Sequence, residues 1–140
     1  MLIEKRSVVL DTNVVISAFI SPLGAPAKVF ELFLNEAIIN YTSEEIIEEL
    51  TKVIYRQKIV GHIAGRDKQF MLDNFKELSL IIKPSLKEKV IIDDPDDDKF
   101  INCALTSKSN IVSGDSHLLR LKSYKGVKIM SAKEFLESLK

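Results

Sequence analysis

Three apolar, β-prone runs in this chain end on aspartate: Ser7-Val8-Val9-Leu10-Asp11, Val90-Ile91-Ile92-Asp93-Asp94 and Ile111-Val112-Ser113-Gly114-Asp115. If these runs are neighbouring strands of one parallel sheet, their carboxylates converge at its carboxyl edge, where open α/β sheets place their sites. Residues 93–98 add to the density, with five aspartates in six positions. Acids gathered without matching bases call for a cation, and hard oxygen donors favour Mg2+ or Mn2+ over zinc. His62 and His117 are too isolated in the sequence to form a zinc set and read as surface or structural residues. Carboxylate-bound Mg2+ keeps waters and bridges to phosphate, so the chemistry implied is phosphodiester hydrolysis.

Which acids face inward follows from helical periodicity. Asp11 and Asp115 each precede a short apolar helical start, so each also suits the role of N-cap. Repetition of that arrangement at one sheet edge, beside the aspartate cluster, favours a site. Glu44, Glu45, Glu48 and Glu49 share a helix whose buried stripe is Ile46, Ile47, Leu50, Val53 and Ile54. At about 100° per residue, only Glu49 reaches the margin of that stripe. Asp97 lies one turn before Ile101 and Ala104, on the buried side of the next helix, with Asp98 at the edge and Asp96 outward. Some of these acids also complement a helix dipole. A carboxylate on a core-facing position is nevertheless costly unless its charge is compensated, and a cation between Asp11, Asp97 and Asp115 would do so.

The elements that must carry these residues alternate. β-prone runs at 8–10, 37–41, 80–82 or 90–92, 111–113 and 127–130 are separated by segments of helical periodicity, the pattern of βαβ units and a parallel sheet. Pro26 suits the first turn of a helix running to about Asn35, with Val29, Phe30, Phe33 and Leu34 as its apolar face. Thr42-x-x-Glu45 and Ser131-x-x-Glu134 read as capping boxes, the second opening a terminal helix over 132–139. Residues 57–78 read as a helix in two pieces broken near 61–65.

With 140 residues, 46% of them apolar, the chain is expected to form one domain over 1–140 with a real core. No stretch approaches the ~18 consecutive apolar residues of a membrane helix, and the opening MLIEKR runs into a strand, so a cytoplasmic protein is expected. Cys103 is the single cysteine, which excludes an intrachain disulfide and suits a small buried hydrophobe. A net charge of zero excludes global attraction to nucleic acid, so any grip on phosphate must be local. Candidate phosphate contacts are Arg56 and Lys58 in one basic stretch and Arg120 and Lys122 in another.

Taken in order, these residues resemble the PIN-domain family of metal-dependent ribonucleases. The likeness runs over nearly the whole chain: Val9-Leu10-Asp11-Thr12-Asn13-Val14, then Ser43 with Glu49-Leu50 six residues on, Asp94-Pro95-Asp96-Asp97-Asp98-Lys99-Phe100, Ala104, and Ser113-Gly114-Asp115 with Leu118-Leu119. The interval of 18 residues from Asp97 to Asp115 also matches the family pattern. The most similar subgroup is the prokaryotic PIN proteins described as toxins of toxin–antitoxin pairs, similar to VapC. The resemblance implies a three-layer α/β/α sandwich with a central, mainly parallel sheet. It also implies Mg2+ or Mn2+, as one or two ions, held by Asp11, Glu49, Asp97 and Asp115, the acids that periodicity had selected. In family terms Asn13 and Ser113 support the site by hydrogen bonds, and Asp94 or Asp98 adds ligands. Ser113 departs from the more usual threonine but keeps the hydroxyl. Dimerisation and inhibition by an antitoxin are further implications of the family alone.

The expected function is therefore a Mg2+- or Mn2+-dependent endoribonuclease acting on RNA. Three other readings compete with it. A receiver-like signalling domain also gathers acids at a sheet edge, but it needs an acidic pair after the first strand and a strand-ending aspartate in mid-chain, and neither is present. A phosphatase using Asp11 as nucleophile lacks the second aspartate of its motif. A PIN fold kept for RNA or partner binding without turnover is the remaining alternative, and the intact four-acid set argues against it.

Overall fold

The apolar run that follows Arg6 forms the centre of the molecule. In the computed structural model, which describes residues 5–56, 63–85 and 95–140, it becomes strand β1 (Arg6–Leu10). Val8, Val9 and Leu10 are all buried, although successive side chains of a strand point to opposite faces. Both faces of β1 are therefore covered, as continuous runs of β-branched residues in parallel sheets require. β1 pairs in parallel with β2 (Ile38–Thr42) on one side and with β4 (Asn110–Val112) on the other. Beyond β2 lies β3 (Leu80–Ile81), also parallel. Beyond β4 lie β6 (Val127–Met130), parallel, and then the antiparallel β5 (Ser123–Tyr124), giving the order β3-β2-β1-β4-β6-β5.

Seven helices are described: α1 (Thr12–Ile20), α2 (Ala25–Leu34), α3 (Glu44–Ile54), α4 (Gly65–Leu78), α5 (Asp98–Ser107), α6 (Ser116–Leu121) and α7 (Ala132–Ser138). A 3-10 turn, Pro95–Asp97, leads into α5. α5 lies against β1, β2, β4 and β6, whereas α2 packs with α1, α4 and α7. The second group is joined by a run of aromatic contacts: Phe19 with Phe30 at 5.3 Å between ring centroids, Phe30 with Phe33 at 5.3 Å, and Phe33 with Phe75 at 6.0 Å. Tilted and edge-on pairs of this kind add to the burial of large side chains. The result is the expected three-layer α/β/α sandwich with a mainly parallel sheet. No single helix among the described residues is long and apolar enough to cross a membrane.

Local details differ from the sequence expectation in two places. Thr42 is not the N-cap of α3: it is the last, fully buried residue of β2, and Ser43 caps the helix by accepting from the Ile46 N–H at 3.4 Å. The strand prefers Thr42 because it falls on the same inward register as Ile38 and Asn40. β5 was not expected; it is formed by a two-residue hairpin through Lys125 and Gly126, both at positive φ, which pairs Tyr124 with Val127. The alternative strand 90–92 and the first helical piece, 57–62, lie outside the described residues. The Ser131 capping box is present in both directions, and Pro26 stands in the first turn of α2 after Gly24.

Candidate metal centre

From β1 the chain moves outward through β2 to β3, then returns to place β4 on the opposite side of β1. The crevice at the carboxyl ends of β1 and β4 is thus the topological switch point of the sheet, the position where such folds bind ligands. Asp11 directly follows β1, and Ser113-Gly114-Asp115 directly follows β4. Backbone bonds continue past the strand ends and hold these segments side by side: Asp11 N–H donates to Val112 O at 3.1 Å and Ser113 N–H to Met130 O at 2.9 Å. Asn40 braces the other flank. Its buried side chain accepts from the Leu10 N–H at 2.9 Å and donates to the Ser79 hydroxyl at 2.9 Å.

The carboxylate of Asp11 is only 2% exposed. Its Oδ1 accepts from the Val14 N–H at 2.8 Å, so it is the N-cap of α1. Its Oδ2 accepts from the Ser113 hydroxyl and from the Gly114 N–H at 3.2 Å. Burial pushes the Asp11 carboxyl up to about 6 from its ordinary 3.8; the bonds from Ser113, Val14 and Gly114 pull it down, and the charge of Asp115 pushes it up again. The Ser113 oxygen in turn accepts from the Asp115 N–H at 2.9 Å, and Asp115 Oδ1 caps α6 by accepting from the His117 N–H at 2.7 Å. One buried hydroxyl therefore ties the two strand-end acids into a single unit.

Asp97 arrives from the other direction, on the 3-10 turn before α5, and is buried. Asp97, Asp115 and His117 each present one ligand atom, and these three atoms lie within 4.8 Å of one another. His117, set aside in the sequence as surface or structural, is thus part of the cluster; its Nδ1 is 3.8 Å from Asp115 Oδ1. The signal for it was its position two residues after a capping aspartate, which turns the first turn of α6 toward the same crevice. Glu49 enters from α3. Its Oε2 accepts from the Thr12 hydroxyl, and its Oε1 is 2.8 Å from Lys99 Nζ.

Asp11, Glu49, Asp97 and Asp115 line one pocket of about 130 Å3, floored by Val53 and Phe100. The lining fits a hard divalent cation: four carboxylates, one of them disfavoured as a bare anion by burial, border a small polar recess, although the ligand atoms within 4.8 Å of one another there are those of Asp97, Asp115 and His117, a group that includes neither Asp11 nor Glu49. Asn13 also lines this pocket with an exposed side chain, but the hydroxyl that reaches Glu49 belongs to Thr12, a residue the sequence did not single out. Ser113 makes the bond expected of it. Asp98 is more buried than its edge position suggested, at 8% exposure, yet it lines neither this pocket nor the next.

A second, wider groove of about 320 Å3 shares Glu49 and Val53 with the acidic pocket and is lined further by the acids Glu45, Glu48 and Asp96 and the cations Lys52, Arg56 and Lys99. Of the proposed phosphate contacts, Arg56 falls in this groove. Arg120 and Lys122 are exposed at the far end of α6 and line neither cavity. Lys58 and Asp94 lie outside the described residues.

Comparison with known proteins agrees with this geometry. The uncharacterized protein MJ1680 of Methanocaldococcus jannaschii is 37% identical over 142 residues, an alignment covering 95% of this chain and 91% of that protein. A family model described as PIN domain matches residues 7–117, a span that runs from the first residues of β1 through Asp97 and Asp115 to His117. With the parallel sheet, the acids at its switch point and this match in hand, the chain is a member of the PIN domain family, a family of nucleases.

Proposed function

We propose that this protein is a Mg2+- or Mn2+-dependent endoribonuclease. The observation that carries the reading is the burial of Asp11 beside Asp115, in a pocket shared with Asp97 and Glu49. A divalent ion bound there by Asp11, Asp97, Asp115 and Glu49 would supply Lewis-acid polarisation of a phosphodiester and an activated water. The residues of the chain prepare for this. Ser113, Gly114 and Val14 fix the carboxylate of Asp11 through three donors, so no reorientation is needed when the charge of Asp11 is met. Ser113 sets Asp115 at the same time, through the Asp115 N–H. Thr12 holds one oxygen of Glu49 on the rim. Lys52 and Arg56, which make no ion pair among the described residues, are the cations of the adjoining groove that would meet the phosphates of a strand, beside its acids Glu45, Glu48 and Asp96.

The test is cleavage of a single-stranded RNA in Mg2+ or Mn2+ by the wild type and by Asp115→Asn. The expected result is a loss of about 100-fold or more in the variant, on the scale of removing a group that acts on transition-state charge. Equal rates, or cleavage that persists in excess chelator, would sink the assignment. The toxin role belongs to the same reading and rests on resemblance to toxin-type PIN proteins, which also brings in an antitoxin partner and a homodimer. Induced expression should then arrest growth, and co-expression of a small DNA-binding protein encoded beside this gene should relieve the arrest.

A further inference from the structure

Asp115 and His117 lie two residues apart, a spacing that inside a helix points side chains away from each other. Here they meet, because Asp115 stands before α6 with an extended backbone (φ −88°, ψ 127°) and folds its carboxylate back over the first turn. Its Oδ1 accepts from the His117 N–H at 2.7 Å, and its own N–H donates to the Ser113 oxygen at 2.9 Å, so its position is fixed from both sides. The imidazole of His117 is left with its Nδ1 3.8 Å from Asp115 Oδ1. That separation is too long for a hydrogen bond, and among the described residues the ring makes none. Asp97, buried and delivered by the turn before α5, brings a third ligand atom within 4.8 Å of the other two. Neighbouring donors that each stand about 2.1 Å from one octahedral ion are about 3 to 4 Å from each other. The gap between His117 and Asp115 falls in that range.

We propose that His117 is a nitrogen ligand of the metal centre, beside Asp97 and Asp115, and that the site therefore takes a first-row transition ion such as Mn2+ in preference to Mg2+. Mg2+ takes oxygen donors and parts reluctantly with its waters, whereas imidazole is a good ligand for transition ions. A third donor that is nitrogen thus adds little to the binding of Mg2+ and much to that of Mn2+. A neutral imidazole also supplies this donor without a further anion next to the buried Asp11, which is tied to Asp115 through the Ser113 hydroxyl. The inference rests on the reading of the acidic pocket as a metal centre. It adds a ligand that an all-carboxylate set lacks, and with it the class of ion that the site selects.

Calorimetry with Mn2+ and with Mg2+ on the wild type, His117→Gln and His117→Asp reads the selectivity, and pulsed electron paramagnetic resonance of the Mn2+-loaded proteins reads directly bound nitrogen. The His117 side chain is 35% exposed, so both variants should fold, which melts in chelator check. The wild type should bind Mn2+ at least tenfold (order of magnitude, about) more tightly than Mg2+ and show the nitrogen hyperfine coupling of a bound imidazole. His117→Gln should bind Mn2+ about tenfold or more weakly, keep its Mg2+ affinity within about twofold, and lose the coupling. His117→Asp restores an oxygen donor and should bring the two affinities closer together, again without the coupling. Mn2+ binding to the wild type without nitrogen coupling would overturn the His117 ligand while leaving the metal centre standing, whether or not a variant folds. An unchanged ratio of Mn2+ to Mg2+ affinity in folded His117→Gln would do the same. No Mn2+ binding to the wild type would overturn the metal centre and the ligand together.

Discussion

Asp11→Asn should make the metal-free protein more stable at pH 8 and not at pH 4. The native carboxyl of Asp11 titrates near 6 against an ordinary value of 3.8. A folded-state value above the unfolded one means that the native state binds the proton more tightly, so this group's contribution is full below about pH 3.8 and is lost as pH rises through about 6. Above that point the fold carries a buried anion, and the displacement from 3.8 to about 6 corresponds to a penalty of about 3 kcal/mol. Asparagine removes the charge and can still accept from the Val14 N–H. It leaves the Gly114 N–H without the carboxylate it meets at 3.2 Å, a loss of about 1 kcal/mol. The net gain at pH 8 is about 2 kcal/mol, or about 6 °C in Tm for a domain of this size, while at pH 4 the variant should match the wild type or fall about 1 kcal/mol below it. Thermal melts of both proteins in chelator, from pH 4 to pH 8, measure the difference directly, and using the difference cancels the other titrating groups. Addition of Mn2+ at pH 8 should then raise the wild type and leave the variant nearly unmoved. A stability difference that does not change with pH, or a variant less stable at pH 8, would refute the account of Asp11 as a destabilised anion awaiting a cation.

Ser113→Ala removes a donor to Asp11 and the acceptor of the Asp115 N–H, so it should cost about 1–3 kcal/mol in chemical denaturation. Loss of that donor should also push the Asp11 carboxyl further above about 6, moving the acid limb of Mn2+ affinity to higher pH in a calorimetric titration. Cys103 is fully buried and its thiol is pushed up to about 12 by burial, so it should react with a disulfide reagent only at the rate of unfolding; fast labelling of the native protein would contradict this. Phe100→Ala, at a position 1% exposed beneath the acidic pocket, should cost roughly 3–5 kcal/mol in denaturant and loosen Mn2+ binding as the floor under Asp97 collapses. Ser131→Ala breaks a capping box remote from the site and should cost about 1 kcal/mol of stability with RNA cleavage unchanged.

The residues that could be found in the sequence are those whose position is fixed by local periodicity. Asp11 and Asp115 end strands, and a strand end at a switch point has one place to go. Glu49 lies at the inner margin of α3 and Asp97 immediately before α5, in phase with its buried side, so the angle of about 100° per residue already separates them from Asp96, Glu48 and Glu45, which the structure leaves exposed. Thr12, His117 and Lys99 were not legible in the same way. Each matters because of a neighbour brought by another element: Thr12 meets Glu49 across α1 and α3, His117 meets Asp97 across α6 and the turn before α5, and Lys99 meets Glu49 across α5 and α3. The shift of the α3 cap from Thr42 to Ser43 has the same origin, since two adjacent hydroxyls are equivalent as caps until the pairing of β2 keeps Thr42 in the strand. Arg120 and Lys122 line neither cavity, and charge density along the chain does not say which way a short helix points. The acids of this site are thus specified by the chain's own periodicity, while the groups that orient them and neutralise their charge are specified only by packing. Ser113 is the instructive exception, because a strand end placed beside β1 puts its hydroxyl within reach of Asp11 by register alone.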